Sequence, residues 1–544
     1  MNNTSSMWSQ IACNKVAEHE MHFFFELDGI PLSGPQITLG DLSAPAPDWI
    51  PADQFAALAG RYRNESIWTK TTDRAGSDFY AHLQDIVAGR RKELATLWCL
   101  TAPAKAFLEN ADLYEHDVPR TDRVRKQIVL ALADKETHRF AEHGAEARAL
   151  SIVLDSAMLH VFASGISFAH LIVRAQPLRR GDLLSALELV ETQTALARIH
   201  GLYWQSVDCG QPLAKFNLHT LVRQLTIGAR AEVRKEERIR TYTYARFSNY
   251  VKPAELDFLG FYLARHYTSD YLLDATVTGI ERVGQFETVR HTIAMEGSAT
   301  LISPEASGKL PKYLANFSGN TLRAHYVPIM LLALHEYAFL VDRTSQSVMD
   351  YRGASDAHKT LRVLGRLRSD SLVFRVCFRF SQVSHITMHN LVNLAFRRAY
   401  GLDRMMGELA TDVAEIEGFL RTVQEQNIAN RFYWFSVIGG ASLAGFAGVS
   451  IFSAIFRVML SYQFVQDSLL KILNGRVTRE WLTAGHSSEI AHAPETFGLA
   501  MGGIVFLIAC WLISRHRPLP QIRMGRELTI HDLLEQLSKT FSRD

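Results

Sequence analysis

Cysteine is scarce in this 544-residue sequence, which has only five, and no two of them form a Cys-X-X-Cys pattern. Zinc ribbons and thioredoxin-like redox sites need that spacing, and disulfide frameworks need denser cysteines in a shorter chain. The sequence therefore predicts none of these. The first 20 residues also lack a long apolar run, so we predict no secretory signal peptide and a cytoplasmic N-terminus.

The chain also lacks a charge imbalance: 58 Lys and Arg face 56 Asp and Glu, and 47% of the residues are hydrophobic. Disordered chains combine high net charge with low hydrophobicity, so this composition excludes that class. A mean hydropathy of −0.02 excludes a polytopic transporter, because most of the length is too polar for lipid. A large cytoplasmic body on a small membrane anchor and a soluble enzyme with a few spans remain.

The usual catalytic signatures are missing as well. The sequence contains no P-loop, no Gly-X-Gly-X-X-Gly, no Gly-X-Ser-X-Gly and no His-Glu-X-X-His motif. His335-Glu336 lacks the second histidine that a zinc protease needs. We therefore predict that the protein is not an enzyme and uses no cofactor.

Two long runs are free of charge, residues 432–456 and residues 496–514. As helices of 25 and 19 residues they would be about 37 and 28 Å long, close to the roughly 30 Å of a bilayer core. We predict that both cross the membrane. Residues 156–173 are also uncharged, but Ser164-Gly165 at their middle favours a buried hairpin of strands 158–163 and 166–173 over a third span.

Basic residues near the ends of the spans predict the orientation. Two flank the connecting loop, Arg457 and Lys471. Six flank the outer ends: Arg421, Arg431, Arg515, Arg517, Arg523 and Arg526. This asymmetry predicts an inner-membrane protein with two spans, both termini in the cytoplasm and a periplasmic loop at 457–495.

Small residues recur at four-residue spacing in the spans, which lets membrane helices approach closely. They are Ser436, Gly440, Ala444 and Gly448 in the first span, and Gly498 and Gly502 in the second. Two interpretations follow: the two spans pack on each other, or the first spans of several copies surround a pore. A pore requires a homo-oligomer, because two helices cannot enclose a water-filled path.

A heptad pattern precedes the first span and predicts a long helix that continues into it. Its apolar positions are Leu402, Met406, Leu409, Val413, Ile416, Leu420 and Val423. Such a seam favours either self-association or packing on another long helix.

The residues before the membrane predict an α+β fold with a mostly antiparallel sheet. We expect strands at 22–27 and hairpins at 158–173 and 286–302, with helices at 180–198, 220–238 and 326–341. The predicted divisions are a cytoplasmic α+β sensor domain at 1–320, a helical stalk at 321–431, a two-helix transmembrane domain at 432–514 and a cytoplasmic basic tail at 515–544.

This plan resembles the CorA-type family of two-span divalent-cation channels. Local stretches are similar too: residues 291–302 (HTIAMEGSATLI), 331–340 (LLALHEYAFL) and 378–384 (FRFSQVS). The resemblance implies a cytoplasmic domain on a helical stalk and an oligomeric pore. The chain departs from the family in lacking its Gly-Met-Asn filter and in having a loop of 39 residues with equal numbers of acidic and basic side chains. The plan is also similar to that of two-span effectors associated with retrons in anti-phage defence.

Three weaker patterns each leave two interpretations open. His486, Glu489 and His492 are either ligands of a zinc-like ion or parts of a solvated loop. His385 and His389 are either a ligand pair or ordinary helix surface. A basic stripe either binds an anionic nucleotide or nucleic acid or is a solvated face. It consists of Arg223, Arg230, Arg234, Lys235, Arg238 and Arg240.

We therefore expect an oligomeric inner-membrane protein whose cytoplasmic domain gates a pore, acting as a membrane-permeabilising effector in abortive infection. Its expected partners are the lipid bilayer, further copies of the chain, ions and a nucleotide or nucleic-acid-containing regulator. The alternatives are a divergent CorA-like divalent-cation transporter and a membrane-anchored binding protein that does not conduct.

Overall fold

The computed structural model describes most of the chain. The described residues are 2–35, 37–38, 66–72, 78–102, 104–105, 126–130, 140–141, 148–179, 181–198, 202–206, 212–226, 239–271, 279–353, 357–460 and 493–515. They separate into two compact units. The first unit contains Met1–Gln346 and Leu367–Ala410, and the second contains Ser347–Arg366 and Thr411–Asp544. The predicted stalk at 321–431 is thus divided between the two units.

The first unit contains one large sheet. Its strands are β1 (Lys15–Asp28), β2 (Trp68–Thr71), β3 (Ala95–Leu100), β4 (Lys126–Leu130), β5 (Leu150–Phe162), β6 (Ile166–Pro177), β7 (Leu184–Ser185), β8 (Leu202–Ser206), β9 (Pro212–Phe216), β10 (Arg240–Phe247), β11 (Glu281–Phe286), β12 (Val289–Ile293) and β13 (Gly297–Ile302). The main order is β11-β12-β13-β10-β1-β6-β5-β4-β8-β9, while β3 pairs with β2 and β5, and β7 pairs with β1. The pairing of β10 with β13 is parallel, and the other pairings in this described sheet are antiparallel.

Helices alternate with the strands in the first part of the chain, and only helices follow β13. They are α1 (Asn2–Ile11), α2 (Ala81–Val87), α3 (Ala186–Ala197), α4 (Leu218–Thr226), α5 (Pro253–Arg265), α6 (Val327–Gly353), α7 (Ala357–Phe378), α8 (Thr387–Ala399), α9 (Leu402–Leu460) and α10 (Ala493–Arg515). A π-helix, Ser318–Tyr326, runs directly into α6. The described part of the chain is therefore a mixed α and β structure, as the sequence predicts.

Alternation along β1 divides the sheet into two faces, because successive side chains of a strand point in opposite directions. Met21, Phe23 and Phe25 belong to the main hydrophobic core, which also contains residues of α3 and α5 such as Leu187 and Leu259. This face is apolar, and its helices exclude water from it.

The opposite face carries polar and aromatic side chains and is covered by the π-helix, α6 and α8. His291 of β12 makes an edge contact with Tyr326 at 4.9 Å between ring centroids. Phe162 of β5 stacks on His335 of α6 at 3.9 Å. Helix α6 is therefore a core helix of the first unit, although its sequence is apolar enough for a membrane span.

The strand and hairpin predictions are confirmed. The predicted strand at 22–27 lies within β1, and residues 158–173 form the antiparallel β5–β6 hairpin, with Gly165 in the left-handed region at φ +90°. Residues 286–302 contain the β12–β13 hairpin, to which β11 adds a further strand. The uncharged segment 156–173 is thus a pair of sheet strands and not a membrane span.

The predicted helices are found with different bounds. Within 180–198 the helix begins at Ala186, because Leu184–Ser185 pairs with β1. Ser185 then caps it, accepting a hydrogen bond from the Glu188 amide at 3.2 Å. The described part of the basic segment 220–238 is helical to Thr226, and the predicted 326–341 helix is the start of α6. Residues 227–238 lie outside the described residues.

Candidate functional site: paired apolar helices and a charged layer on the sheet

Two helices in the described residues are long and apolar enough to cross a membrane, residues Ser318–Ser345 and Phe432–Met459. The apolar window of the first is 83% buried, whereas that of the second is only 22% buried. Burial of the first is explained by its packing across the sheet. The second lies within α9 and exposes large side chains such as Phe435 and Leu443, as expected of a helix whose surroundings are apolar.

The second predicted span, 496–514, lies within α10, and Gly498–Ala509 is its described apolar part. Glycines bring α9 and α10 together in an antiparallel pair. The Cα of Gly502 lies 3.4 Å from where a Cβ on Gly448 would be, and a Cβ on Gly498 would meet the Val449 carbonyl oxygen at 2.7 Å. At Gly498 and Gly502 an added Cβ would clash with the backbone of α9, so no larger side chain fits there without separating the helices, whereas at Gly448 it would make ordinary van der Waals contact.

The predicted small-residue positions fall into two groups. Gly448, Gly498 and Gly502 lie in the contact between α9 and α10. Ser436 and Gly440 are exposed, Ala444 is half-buried, and a Cβ on Gly440 would meet nothing within 4 Å. The N-terminal residues of the four-residue stripe, Ser436 and Gly440, thus lie outside the contact between α9 and α10, whereas its last residue, Gly448, lies within it.

Gly445 is a contact residue that the sequence analysis missed. A Cβ there would meet the Gly502 carbonyl oxygen at 3.3 Å and the Phe506 Cβ at 3.2 Å, and Ala441, one turn earlier, is fully buried. The signal was present as a second small-residue stripe, at 441, 445 and 448. It was missed because the neighbouring stripe has a strict four-residue period.

Serine hydroxyls of the apolar segment form hydrogen bonds within their own helix. Ser442 Oγ donates to the Ile438 carbonyl at 2.7 Å, and Ser450 Oγ donates to the Phe446 carbonyl at 3.2 Å. These bonds remove the penalty that free hydroxyls would pay in an apolar medium. Both serines therefore suit a lipid environment.

The heptad seam begins inside the first unit. Leu402, Met406 and Leu409 are 0%, 5% and 8% exposed, so these positions pack within the same chain. Val413 is half-buried. The side chains of the last three seam residues, Ile416, Leu420 and Val423, lie outside the described residues.

A charged layer joins the π-helix to the polar face of the sheet. Arg323 of the π-helix donates to both carboxylate oxygens of Glu20 on β1, each at 2.9 Å, and to Asp155 on β5 at 2.5 Å. Asp155 also accepts from Arg174 on β6 at 2.6 Å. Ser318, at the start of the π-helix, donates to Glu18 at 2.7 Å. These bonds fix the π-helix on three adjacent strands.

Buried histidines continue this layer. His22 Nδ1 lies 2.9 Å from His170 Nε2, so one ring donates to the other. Burial lowers the pKa of both rings, which are therefore neutral at pH 7. Burial opposes ionisation of Glu20, but contacts with His22 and Arg323 outweigh it and lower the pKa of Glu20 to about 2. The layer is consequently a network of carboxylates paired with arginines, together with neutral histidines, that connects the π-helix to the sheet.

The remaining candidate residues do not converge. His385 is exposed and packs on Tyr80 with ring centroids 4.4 Å apart, whereas His389 is buried and stacks on His325 at 4.5 Å. In the basic stripe, Arg223 is exposed, and Arg240 lies over the Tyr337 ring at 5.5 Å. Arg230, Arg234, Lys235 and Arg238, and the loop candidates His486, Glu489 and His492, lie outside the described residues. Among the residues that the structure describes, no group of three or more His, Cys, Asp or Glu is placed to hold a metal ion.

Comparisons with known proteins add no family to this description. No family model matches the chain, and searches of curated proteins and of solved structures find no significant match. The argument for function therefore depends on the two units themselves.

Proposed function

We propose that the chain is an inner-membrane protein in which several copies of the α9–α10 pair form a pore that the cytoplasmic α+β unit gates. The observation that carries the proposal is the exposed apolar surface of residues 432–459 on a helix that starts in the sheet-containing unit. Removing such a surface from water requires lipid or further protein.

Aromatic residues support a membrane position for the pair. Tyr433 and Trp434 begin the apolar segment of α9, and Trp511 lies near the end of α10. Since the glycine contacts make the helices antiparallel, these rings belong to the same end of the pair. Tyrosine and tryptophan concentrate at membrane–water interfaces, and this end is the one that we assign to the cytoplasmic side.

Open small residues on α9 support contacts between copies. The contact with α10 uses the face that contains Ala441, Gly445 and Gly448. Ser436 and Gly440 are exposed, and among the residues that the structure describes a Cβ on Gly440 would touch no neighbour. A first-span bundle needs such a close-packing surface in addition to the one that joins the two helices of each chain.

The physiological role that we propose is membrane permeabilisation in anti-phage defence, in keeping with the resemblance to retron-associated effectors. A pore without the Gly-Met-Asn filter would dissipate ion gradients. Induced expression should then depolarise the inner membrane and arrest growth, measured with a potential-sensitive dye. Normal membrane potential in cells that contain the protein in the membrane would overturn this function.

Gly440→Leu tests the contact between copies. We expect this variant to lose the depolarisation, because a leucine at an open position of the protomer blocks only approach by another copy. Gly503→Leu is the matched control, since a Cβ on Gly503 also meets nothing within 4 Å, but on the second helix; it should depolarise like the wild type. Equal depolarisation by both variants would show that Gly440 does not lie in a contact between copies of the pore.

One observation favours the alternative of a non-conducting anchored protein. Three seam residues, Leu402, Met406 and Leu409, are buried within their own chain and so give no surface for self-association. This alternative predicts full function for Gly440→Leu. The other alternative, a divalent-cation transporter, predicts that expression rescues growth of a transport-deficient strain on limiting magnesium, zinc, cobalt or nickel.

A further inference from the structure

A single glycine connects α8 to α9 in the first unit. Gly401 has φ +64°, in the left-handed region, and a Cβ there would meet nothing within 4 Å. Its amide donates to the Arg398 carbonyl at 3.0 Å, and its own carbonyl accepts from the Met405 amide at 3.0 Å. Gly401 thus ends one helix and begins the next in a backbone conformation that favours glycine.

Charged side chains bridge this link from both sides. Arg397 precedes Gly401 and donates to Asp403, in the first turn of α9, at 2.6 Å. Arg379, which follows α7, donates to the same Asp403 oxygen at 2.5 Å. The start of α9 is therefore tied to α8 and to the end of α7 through one carboxylate.

Glu336 of α6 completes the group. It accepts from Arg397 at 2.6 and 3.3 Å and lies 3.4 Å from Arg379. Glu336 and Arg397 are 3% and 7% exposed, whereas Asp403 is 60% exposed. Two positive and two negative side chains from four elements are thus in mutual contact, and the buried pair cannot lose a partner without leaving an unpaired charge.

The helix that these contacts hold is the one that continues into the apolar segment. Helix α9 is a single helix from Leu402 to Leu460, so a change in direction at Gly401 is carried along it. Apart from the charges, Leu402, Met406 and Leu409 are the buried side chains of its first turns. To this apolar packing the charged contacts add hydrogen bonds of defined geometry, which hold the first turn of α9 through Asp403.

We propose that Glu336, Arg379, Arg397 and Asp403 form a clamp that holds α9 in its closed direction, and that release of the clamp lets α9 turn about Gly401 and opens the pore. The inference rests on the proposed function. All four are positioning residues. The clamp predicts that weakening it increases permeability, whereas loss of a merely stabilising contact would decrease the activity of the protein.

Asp403→Asn is the sharpest test, because Asp403 is exposed and its removal leaves the Glu336–Arg397 pair intact. We expect several-fold faster depolarisation than wild type at equal membrane abundance. The control is Glu408→Gln, which removes an acid from the exposed Arg404–Glu408 pair on the same helix and should leave the rate unchanged. Arg379→Gln, which removes the other tie to Asp403, should act like Asp403→Asn.

Hydrogen–deuterium exchange on the full-length protein in detergent gives a readout that does not need conduction. We expect amides of residues 401–410 to exchange about tenfold faster in Asp403→Asn, because the two charge-assisted bonds that Arg397 and Arg379 donate to this largely exposed carboxylate are weakened, with β5 and β6 unchanged. Unchanged exchange overturns the clamp. Faster exchange without faster depolarisation, in a wild type that depolarises, also overturns it. If neither protein depolarises, the pore function fails and exchange alone decides whether the clamp holds α9.

Discussion

His160 shows how strongly burial controls a single side chain of this fold. It lies on β5, it is buried, and its Nε2 atom has no hydrogen-bond partner among the residues that the structure describes. Burial lowers the pKa of His160 to about 4, and the pKa values of His19, His291 and His335 are lowered in the same way. The folded protein favours the neutral form of these imidazole rings, because an imidazolium at these positions would lose its hydration.

The free energy of unfolding should therefore fall with acidification. The unfolded chain binds a proton near pH 6.5 and the folded chain near pH 4 at His160, so stability is complete above pH 6.5 and is lost as the pH falls through this window. Each such histidine contributes a slope of about 1.4 kcal/mol per pH unit there. Urea unfolding of the full chain in detergent, followed by tryptophan fluorescence from pH 7 to 5, measures the total slope.

The variant His160→Gln measures the contribution of one histidine to the pH dependence of the free energy of unfolding. The control is His385→Gln, because His385 is exposed. We expect the first variant to reduce the pH dependence by the contribution of one histidine and the second to leave it unchanged. An identical slope in His160→Gln and the wild type would show that this ring is not the source.

At the scale of elements, the sequence predicted what local signals determine. A turn signal at Ser164-Gly165 between two apolar arms identified the β5–β6 hairpin, and Gly165 adopts the left-handed φ that this turn requires. Long-range contacts carry no such signal. The π-helix register of Ser318–Tyr326 places Arg323 on Glu20, which is 303 positions away, and only the assembled sheet brings these two residues together.

The same limit applies to the apolar helices. Length and absence of charge identified the runs 432–456 and 496–514, and the helix at 326–341 was predicted without a membrane role. Hydropathy alone does not distinguish residues 318–345 from residues 432–459; the difference lies in what covers each helix. The choice between the 436–440–444–448 stripe and the 441–445–448 stripe depended on the partner helix. The sequence contained both stripes with nothing to rank them.

Gly502→Leu tests the helix pair as an element. A Cβ there would meet the Gly445 carbonyl oxygen at 2.6 Å and the Val449 amide nitrogen at 3.1 Å, both backbone atoms of α9. Because backbone cannot move aside like a flexible side chain, we expect a loss of about 1–3 kcal/mol in stability, as for overpacking of a core. Thermal denaturation in detergent measures it, with Gly503→Leu as a control that should melt like wild type.

At the scale of the whole molecule, the number of copies decides between a pore and an anchor. One protomer contributes two apolar helices, α9 and α10, and each of these already uses one glycine face for the other. In the proposed pore, α9 helices from several chains would enclose the path through the face that contains Ser436 and Gly440. The first seam residues, Leu402, Met406 and Leu409, are buried in their own unit and do not contribute to this association.

The mass of the protein in mild detergent tests that requirement directly. We expect multi-angle light scattering, corrected for bound detergent, to give an integral multiple of 61.3 kDa for the wild type and for Gly503→Leu, and a single protomer for Gly440→Leu. The physical reason is that a leucine on an open face obstructs only another copy, whereas a leucine in the contact with α10 would disturb the protomer itself. A wild type that remains a single chain at every concentration would leave no enclosed path for ions, and the exposed surface of residues 432–459 would then serve as an anchor alone.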